Sequence, residues 1–396
     1  MNTTDVNISE GTITDEALRK WTERIGLELR IPNVYNTYVN EDSIRHFADG
    51  IGDTNRLWID SEYAEKTSYG RLVAPPNFYY SVFPTWVLQG LPGIHAFHSG
   101  NDWRFYRPAF VGDRIFPKCV FTGFKVKPSA FAEKTVFEFQ RAYFYRQNGE
   151  LLAETDLWLI RAERRSARKK SKYSEKLGYE LPHKWSDDEL ERITKQMYSE
   201  KPTGSSTRYW EDVNVGDLLT LTKGPLGLND MIAYTVGANP IGIKGMHSSV
   251  EEYMKHPAWY LREPSTCGLM PVYGVHFDKL VANAVGLPYP YDVGAQRNCW
   301  LLQLLTNWMG DDGWIKRNYA EYRKFFFLSD VLWFVGKVVK KYLDNDKEHC
   351  IDIETHAVNQ REEDTMPGYS TIALPSRNIP KKQWPVPKRM QENRKR

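Results

Sequence analysis

Residues 271–297, PVYGVHFDKLVANAVGLPYPYDVGAQR, gather side chains able to move protons. They hold one imidazole, His276, and two carboxylates, Asp278 and Asp292, with Tyr273, Tyr291 and Arg297 around them. An imidazole titrates near neutrality, so beside a carboxylate it can take a proton from water and hand it on. Two readings of His276 stand: a catalytic base, or a histidine satisfied at the end of a strand. Along a strand, Asp278 would share its face. Asp292 lies at the start of the next helix. Asp311 and Asp312, in NWMGDDG, lie past that helix, where capping is the expected role. Metal chemistry is not expected. The four cysteines, Cys119, Cys267, Cys299 and Cys350, are far apart, with no Cys-x-x-Cys and no histidine at ligand spacing.

Several elements must position these groups. Thr14, followed by Asp15 and Glu16, opens a helix to about Gly26. Asn40 caps a second, in which Ile44, Phe47, Ala48 and Ile51 recur at helical spacing. An apolar helix is expected over 76–89, closed by Gly90. Strand-like runs follow: HAFHSGNDWRFY, DRIFPKCVFTGFKV, KTVFEFQRAYFYR and ELLAETDLWLIR. The last two flank Asn148-Gly149, a hairpin signal. Helices first and antiparallel strands after them make the class α+β. Residues 164–207 break the pattern as a basic linker, with a capping box at Ser186–Glu189 that starts a polar helix.

The second half then repeats the first. Trp58-x-Asp60-x-x-x-Ala64 matches His276-x-Asp278-x-x-x-Ala282 at an offset of 218 residues. RPAFVGDRIFPKCVFTG matches RKFFFLSDVLWFVGKVV around Asp113 and Asp330, and AYFYRQNGELLAETDLWLI matches AVNQREEDTMPGYSTIAL. The second copy carries about 30 extra residues, roughly 242–272, just ahead of His276. An insertion placed there is expected to form a pocket wall or lid. The resulting division is an N-terminal extension over 1–29, a first copy over 30–163, the linker over 164–207, a second copy over 208–378 and a basic tail over 379–396.

At 396 residues the chain can bury a substantial core without disulfide or metal staples. Its 14% aromatic content suits broad sheets and apolar pockets. A net charge of +3 is too small to argue for nucleic acid, and the basic runs at 161–176 and at the tail read as solvated surface. The polar, acidic start is no signal peptide, and no apolar run approaches the ~18 residues of a membrane span. Isolated cysteines fit a reducing compartment, so a cytoplasmic protein is expected.

IGDTNRLWIDSEYAEKTSYGRLVAPPNF resembles the MaoC-like hydratase/dehydratase family, as do HSGNDWRFYRPAFVGDRI and RQNGELLAET. The family's motif is Gly-Asp-x-Asn-Pro-(Ile/Leu/Val)-His-x-Asp, and in the second copy VHFDKLVANAVGLPYPYDVGAQR resembles its His-x-Asp part and the helix entry. The resemblance implies a double hotdog, two copies of a long helix wrapped by an antiparallel sheet. It further implies an acyl-CoA thioester as substrate, with no separate cofactor. The family's Asp and His position one water. Here the first copy keeps Gly52, Asp53 and Asn55 but has Arg56 for the Pro and Trp58 for the His. The second keeps His276 and Asp278 but has Pro271 for the Asp and Tyr273 for the Asn.

The resemblance makes His276 the expected base for hydration of a 2-enoyl-CoA or dehydration of a 3-hydroxyacyl-CoA with a bulky or unusual acyl group. Its carboxylate partner stays open among Asp278, Asp292 and Asp53. Gly294 and Ala295 are the expected oxyanion donors at a helix start. Tyr273 and Tyr291 flank the site, and Arg297 pairs with a carboxylate or meets a CoA phosphate. Asp53 and Asn55 mark a possible second pocket. The alternatives are a non-catalytic acyl-CoA-binding subunit of a hetero-oligomeric hydratase and an acyl-CoA thioesterase on the same fold. A homo-oligomer is expected, possibly paired with another hotdog chain, with no nucleic acid or membrane partner.

Overall fold

The computed structural model describes residues 8–128, 134–169, 178–239, 243–263 and 265–378. The basic tail and part of the basic run at 161–176 lie outside the described residues. In the first half, helices α1 (Asp15–Thr22), α2 (Glu41–Ile51), α3 (Arg56–Ile59) and α4 (Ser61–Glu65) precede four long strands. These are β1 (Ile94–Phe105), β2 (Ile115–Lys127), β3 (Thr135–Arg146) and β4 (Leu151–Glu163). Helix α5 (Arg164–Lys169) and helix α6 (Asp187–Ser199) follow in the linker. In the second half come β5 (Leu218–Lys223), α7 (Leu228–Gly237), α8 (Met246–Lys255), β6 (Tyr260–Arg262) and β7 (Leu269–Pro271). Then follow α9 (Lys279–Ala284), α10 (Gly294–Met309), β8 (Trp314–Glu321), β9 (Leu332–Leu343), β10 (His349–Asn359) and β11 (Gly368–Ala373).

The expected caps form. Thr14 Oγ1 accepts from Ala17 N at 3.1 Å, although α1 stops at Thr22 rather than near Gly26. Asn40 makes a capping box with Ser43, and α2 ends at Gly52, whose φ of 64° suits glycine. Ser186 and Glu189 make the box that starts α6. The β3–β4 hairpin turns at Gly149.

Nine strands form one antiparallel sheet in the order β2-β3-β4-β1-β8-β11-β10-β9-β5. Leaving β5 aside, the order reads the same from either end, as two copies related by a two-fold axis between β1 and β8 require. The copies agree in detail. Asp113 accepts from Phe110 N and Arg146, and Asp330 accepts from Phe327 N and Arg361. Asp60 accepts from Tyr63 N at the start of α4, and Asp278 accepts from Val281 N at the start of α9. The double hotdog is thus the observed fold.

The halves differ at their central helices. In the second, α10 has 13 of its 16 residues buried, so it is packed on nearly all sides. In the first, the expected helix over 76–89 is only a 3-10 helix at Pro76–Ser81, followed by irregular chain. Pro84 explains the stop. It has no N–H to donate and disfavours helical geometry at Phe83, and Thr85 then takes a φ of 69°.

A buried polar seam joins the halves. Asn77 Nδ2 donates to Cys299 O at 3.0 Å, and Tyr80 OH donates to Asn298 Oδ1 at 2.9 Å. Asn298 continues to Asn318 and Asn318 to Ser370. From β8's end, Tyr322 OH donates to Asn101 Oδ1, and Asn101 to Thr155. Gly100 lies where β1 meets both β4 and β8, just past a bulge at Ser99. A Cβ at Gly100 would lie 1.9 Å from the Trp158 ring. Gly100→Ala is therefore expected to destabilise by about 1–3 kcal/mol. A urea midpoint unchanged with an unchanged slope would contradict this.

Candidate active site

His276 is not on a strand. It ends a 3-10 helix, Val272–His276, whose cap residue is Pro271. The inserted residues lead straight into this helix through the β6–β7 hairpin. Leu261 and Val272 pack with Val275, Val281 and Tyr291, and Met270 joins them. The His276 Nδ1–H donates to the Tyr291 carbonyl at 2.8 Å. That bond fixes the tautomer and leaves Nε2 with its lone pair free to take a proton. Burial holds the imidazole down at about 4, against some help from the backbone at Tyr291 and Asp292. It is therefore neutral at pH 7.

Aromatic groups enclose it. The Tyr273 and Tyr291 rings lie 4.8 and 4.7 Å from the His276 ring. The Tyr273 hydroxyl meets Thr235 at 3.2 Å and Asn239 at 2.5 Å, and burial pushes it up to about 12. The Tyr291 hydroxyl, raised by burial, lies 3.5 Å from His95 Nε2.

The expected carboxylates are otherwise engaged. Asp278 caps α9, as Asp60 caps α4, so the shared strand face drawn from its spacing does not exist. Asp292 is buried and grips Arg297 with both oxygens, at 2.8 and 2.5 Å. Burial pushes the Asp292 carboxyl up and Arg297 opposes it. Arg297 also donates to Lys324 O at 2.8 Å and Thr365 O at 3.1 Å, tying α10 to the chain after β8. Asp311 and Asp312 do not cap α10. They accept from Tyr63 and Thr207 hydroxyls, each at 2.5 Å.

Gly294 opens α10, and Val293 gives it no side-chain cap. The helix's bonding begins at Arg297 N, which donates to Val293 O. The turn before it holds Tyr291, whose carbonyl binds His276, so the helix start and the imidazole share one short segment. Such a start favours developing negative charge. Gly294 is needed sterically: a Cβ there would meet the Tyr322 ring at 2.7 Å and His98 O at 3.2 Å.

Two histidines missed from the spacing complete the surroundings. His95 and His98 come from β1 of the first half. His95 reaches Tyr291 across 196 residues of chain. His98 packs edge-on against Tyr322, with centroids 5.1 Å apart. Burial lowers both, His98 to about 4. A run of the form HAFH is visible in the sequence, but only the β1–β8 pairing places it beside α10.

In the first half, Trp58 takes the place corresponding to His276. Its Nε1 donates to Asp53 Oδ2 at 3.1 Å, while Asp53 Oδ1 accepts from Asn55 N at 3.0 Å. Asn55 in turn caps α3 through Leu57 N. Burial raises the Asp53 carboxyl, partly offset by Lys223, whose ammonium is itself drawn down to about 8. An indole N–H can donate but cannot accept a proton. Asp53 and Asn55 thus form a closed knot rather than a second base-bearing pocket. A mostly apolar cleft of about 420 Å³, counted with its open mouth, lies beside Trp58 between Tyr69, Tyr79, Arg107 and Trp314. Trp58→Phe leaves a buried carboxylate oxygen unsatisfied, so a loss of about 1–3 kcal/mol is expected. Thermal unfolding of this variant tests it, and a melting temperature at or above the parent's would contradict it.

Residues 23–155 match a family described as FAS1-like, dehydratase domain region. A UPF0336 protein of a Parafrankia species is 30% identical over 129 residues, 31% of this chain and 82% of that protein. A UPF0336 protein of Streptomyces griseus is 29% identical over 84 residues, and there the match spans only 56% of the relative's length. Among solved structures, a MaoC-like dehydratase superposes with a TM-score of 0.58 at 15% identity, covering 89% of this chain and 98% of that one. A MaoC domain protein dehydratase from Chloroflexus aurantiacus gives 0.54 at 12% identity, covering 95% and 99%. The chain belongs to the UPF0336 family, and over its length it has the double hotdog fold of the MaoC-like dehydratases.

Proposed function

We propose that the protein is a hydro-lyase acting on acyl-CoA thioesters, hydrating a 2-enoyl-CoA or dehydrating a 3-hydroxyacyl-CoA. The observation that carries this reading is the His276–Tyr291 bond. It leaves Nε2 as the proton-accepting nitrogen within one turn of chain from the uncapped start of α10. The thioester carbonyl accepts from the N–H groups of Gly294 and Ala295. His276 Nε2 takes a proton from water as the water oxygen bonds to C3. The π electrons move into the thioester as an enolate, stabilised at the helix start. The imidazolium then gives its proton to C2, so one water supplies both the hydroxyl and the hydrogen. Dehydration is the reverse. A single base in this scheme is supported by Pro271, which has no carboxylate to offer, and by the engagement of Asp278 and Asp292 elsewhere.

Asp292 and Arg297 are proposed to hold the turn that carries the Tyr291 carbonyl. Tyr273 and Tyr291 are proposed as walls of the acyl pocket, and the inserted residues as its cover. The two UPF0336 relatives match at most 31% of this chain, so the activity of the whole chain is a proposal carried by its own residues.

A second reading is an acyl-CoA-binding subunit without turnover, favoured by the missing carboxylate at Pro271. Binding of acyl-CoA without hydration of any enoyl-CoA would select it. Release of free CoA would instead select a thioesterase.

His276→Ala is expected to lower kcat/KM for hydration by about 100-fold or more. Undiminished hydration would remove His276 from the mechanism. The pH profile gives a separate check. The base works when neutral, and its neutral form dominates above about 4. Hydration is therefore expected to stay flat from about pH 5.5 to 8 and to fall only toward more acid pH. A midpoint near the ordinary histidine value of about 6.5 would contradict the burial described above.

A further inference from the structure

The cleft beside Trp58 takes the place in the first half that the His276 site takes in the second. Val73 bridges to Phe110 as Tyr291 bridges to Phe327, at the offset of the repeat. Trp58 therefore corresponds to His276, and Pro76 to Gly294. The second half lines this cleft with Met309, Trp314 and Ile315, as the first half sends His95 to Tyr291. The chemistry does not carry over. Trp58 Nε1 donates to Asp53 and cannot take a proton, and Pro76 has no N–H for a thioester oxygen. The space is kept: about 420 Å³ with its open mouth, toward the small end of ligand pockets.

The walls are fixed by their own contacts. Trp314 Nε1 donates to Phe105 O at 3.2 Å, and the Tyr79 ring stacks on Phe105 with centroids 6.4 Å apart. Two polar side chains line the same space. Tyr69 is 5% exposed, and its hydroxyl has no hydrogen-bond partner among the described residues. Burial raises this hydroxyl, and Asp311 and Asp312 add to the rise, so it stays protonated. Those two carboxylates also keep an anion away from it. Arg107, with its side chain 35% exposed, belongs to the mouth. Its Nε donates to Glu150 at 3.1 Å and its Nη1 to Tyr106 O at 2.7 Å, while Nη2 has no partner among the described residues. Glu150 also pairs with Arg146, which holds Asp113. These four charges balance, but Arg107 alone of them lines the cleft, so the charge it presents is positive.

We infer that the cleft binds an apolar monocarboxylate without reacting with it, the body among Trp58, Tyr79, Phe105 and Trp314 and the carboxylate on Arg107. This goes beyond the hydro-lyase reading and does not depend on it. A free acid suits the cleft better than a thioester. Its charge meets a guanidinium through charge-assisted bonds, roughly twice as strong as neutral ones. A thioester carbonyl is uncharged and finds no counterpart of the Gly294 N–H.

Calorimetry on the full-length protein tests this with 4-phenylbutyrate and 4-phenylbutanamide, which share one apolar body and differ in charge. The acid is expected to bind tighter by about 10-fold or more. Arg107→Gln should remove that preference by weakening the acid alone, and Arg107→Lys should keep part of it. His276→Ala should leave both affinities unchanged, because the ligand lies in the other half. Equal binding of acid and amide, or no binding of the acid at about 1 mM, would overturn the inference without any variant having to fold. Acid binding that Arg107→Gln leaves intact, or that His276→Ala abolishes, would overturn it too, since the ligand would then lie elsewhere.

Discussion

The pairing of β1 with β8 is the constraint on which the rest of the molecule depends. It joins the first half's four strands and the second half's five into one sheet and puts residues from distant parts of the chain side by side. The ladder alone would tolerate slippage, but the buried amides on either side of it do not. Asn298, Asn318 and Asn101 each need particular partners, and a shift by one residue would leave several polar groups buried and unpaired. The bulge at Ser99 belongs to the same constraint. Its carbonyl accepts from Tyr322 N, and Tyr322 then lies against Gly294 at the head of α10. The helix start, the imidazole and the first half's histidines are therefore placed by one seam.

The two halves share one framework and differ in the side chains it carries. The same framework gives Asp60 and Asp278 one capping role, and Asp113 and Asp330 one arginine-binding role. Where the halves differ, the difference is chemical. Trp58 donates into Asp53 and closes a knot, whereas His276 donates backward to Tyr291 O and keeps its other nitrogen available. The first half also lacks a continuous central helix, and so lacks the long dipole that α10 directs at the site. It contributes instead a wall, through His95 and His98.

Much of the fold was legible in the sequence because its signals are local. Caps at Thr14, Asn40 and Ser186, the Asn148-Gly149 turn and the repeat at a fixed offset each rest on a few adjacent residues. The helix expected over 76–89 failed for an equally local reason, Pro84 within an apolar run. The site was less legible. Two-residue spacing suggested a strand that would bring Asp278 beside His276, but the chain there is a 3-10 helix followed by a cap. His95 and His98 carried no signal near His276, since their neighbourhood comes from strand pairing.

The central claim is that chemistry resides at the second half's His276 and α10, and that the first half's corresponding position is closed. A crystal structure of the protein with a bound, unreactive acyl-CoA thioester tests this most directly. Expected is a thioester oxygen within hydrogen-bond distance of the Gly294 and Ala295 N–H groups, with the acyl C3 facing His276 Nε2. A thioester lying instead in the cleft beside Trp58, with the His276 surroundings unchanged, would contradict it.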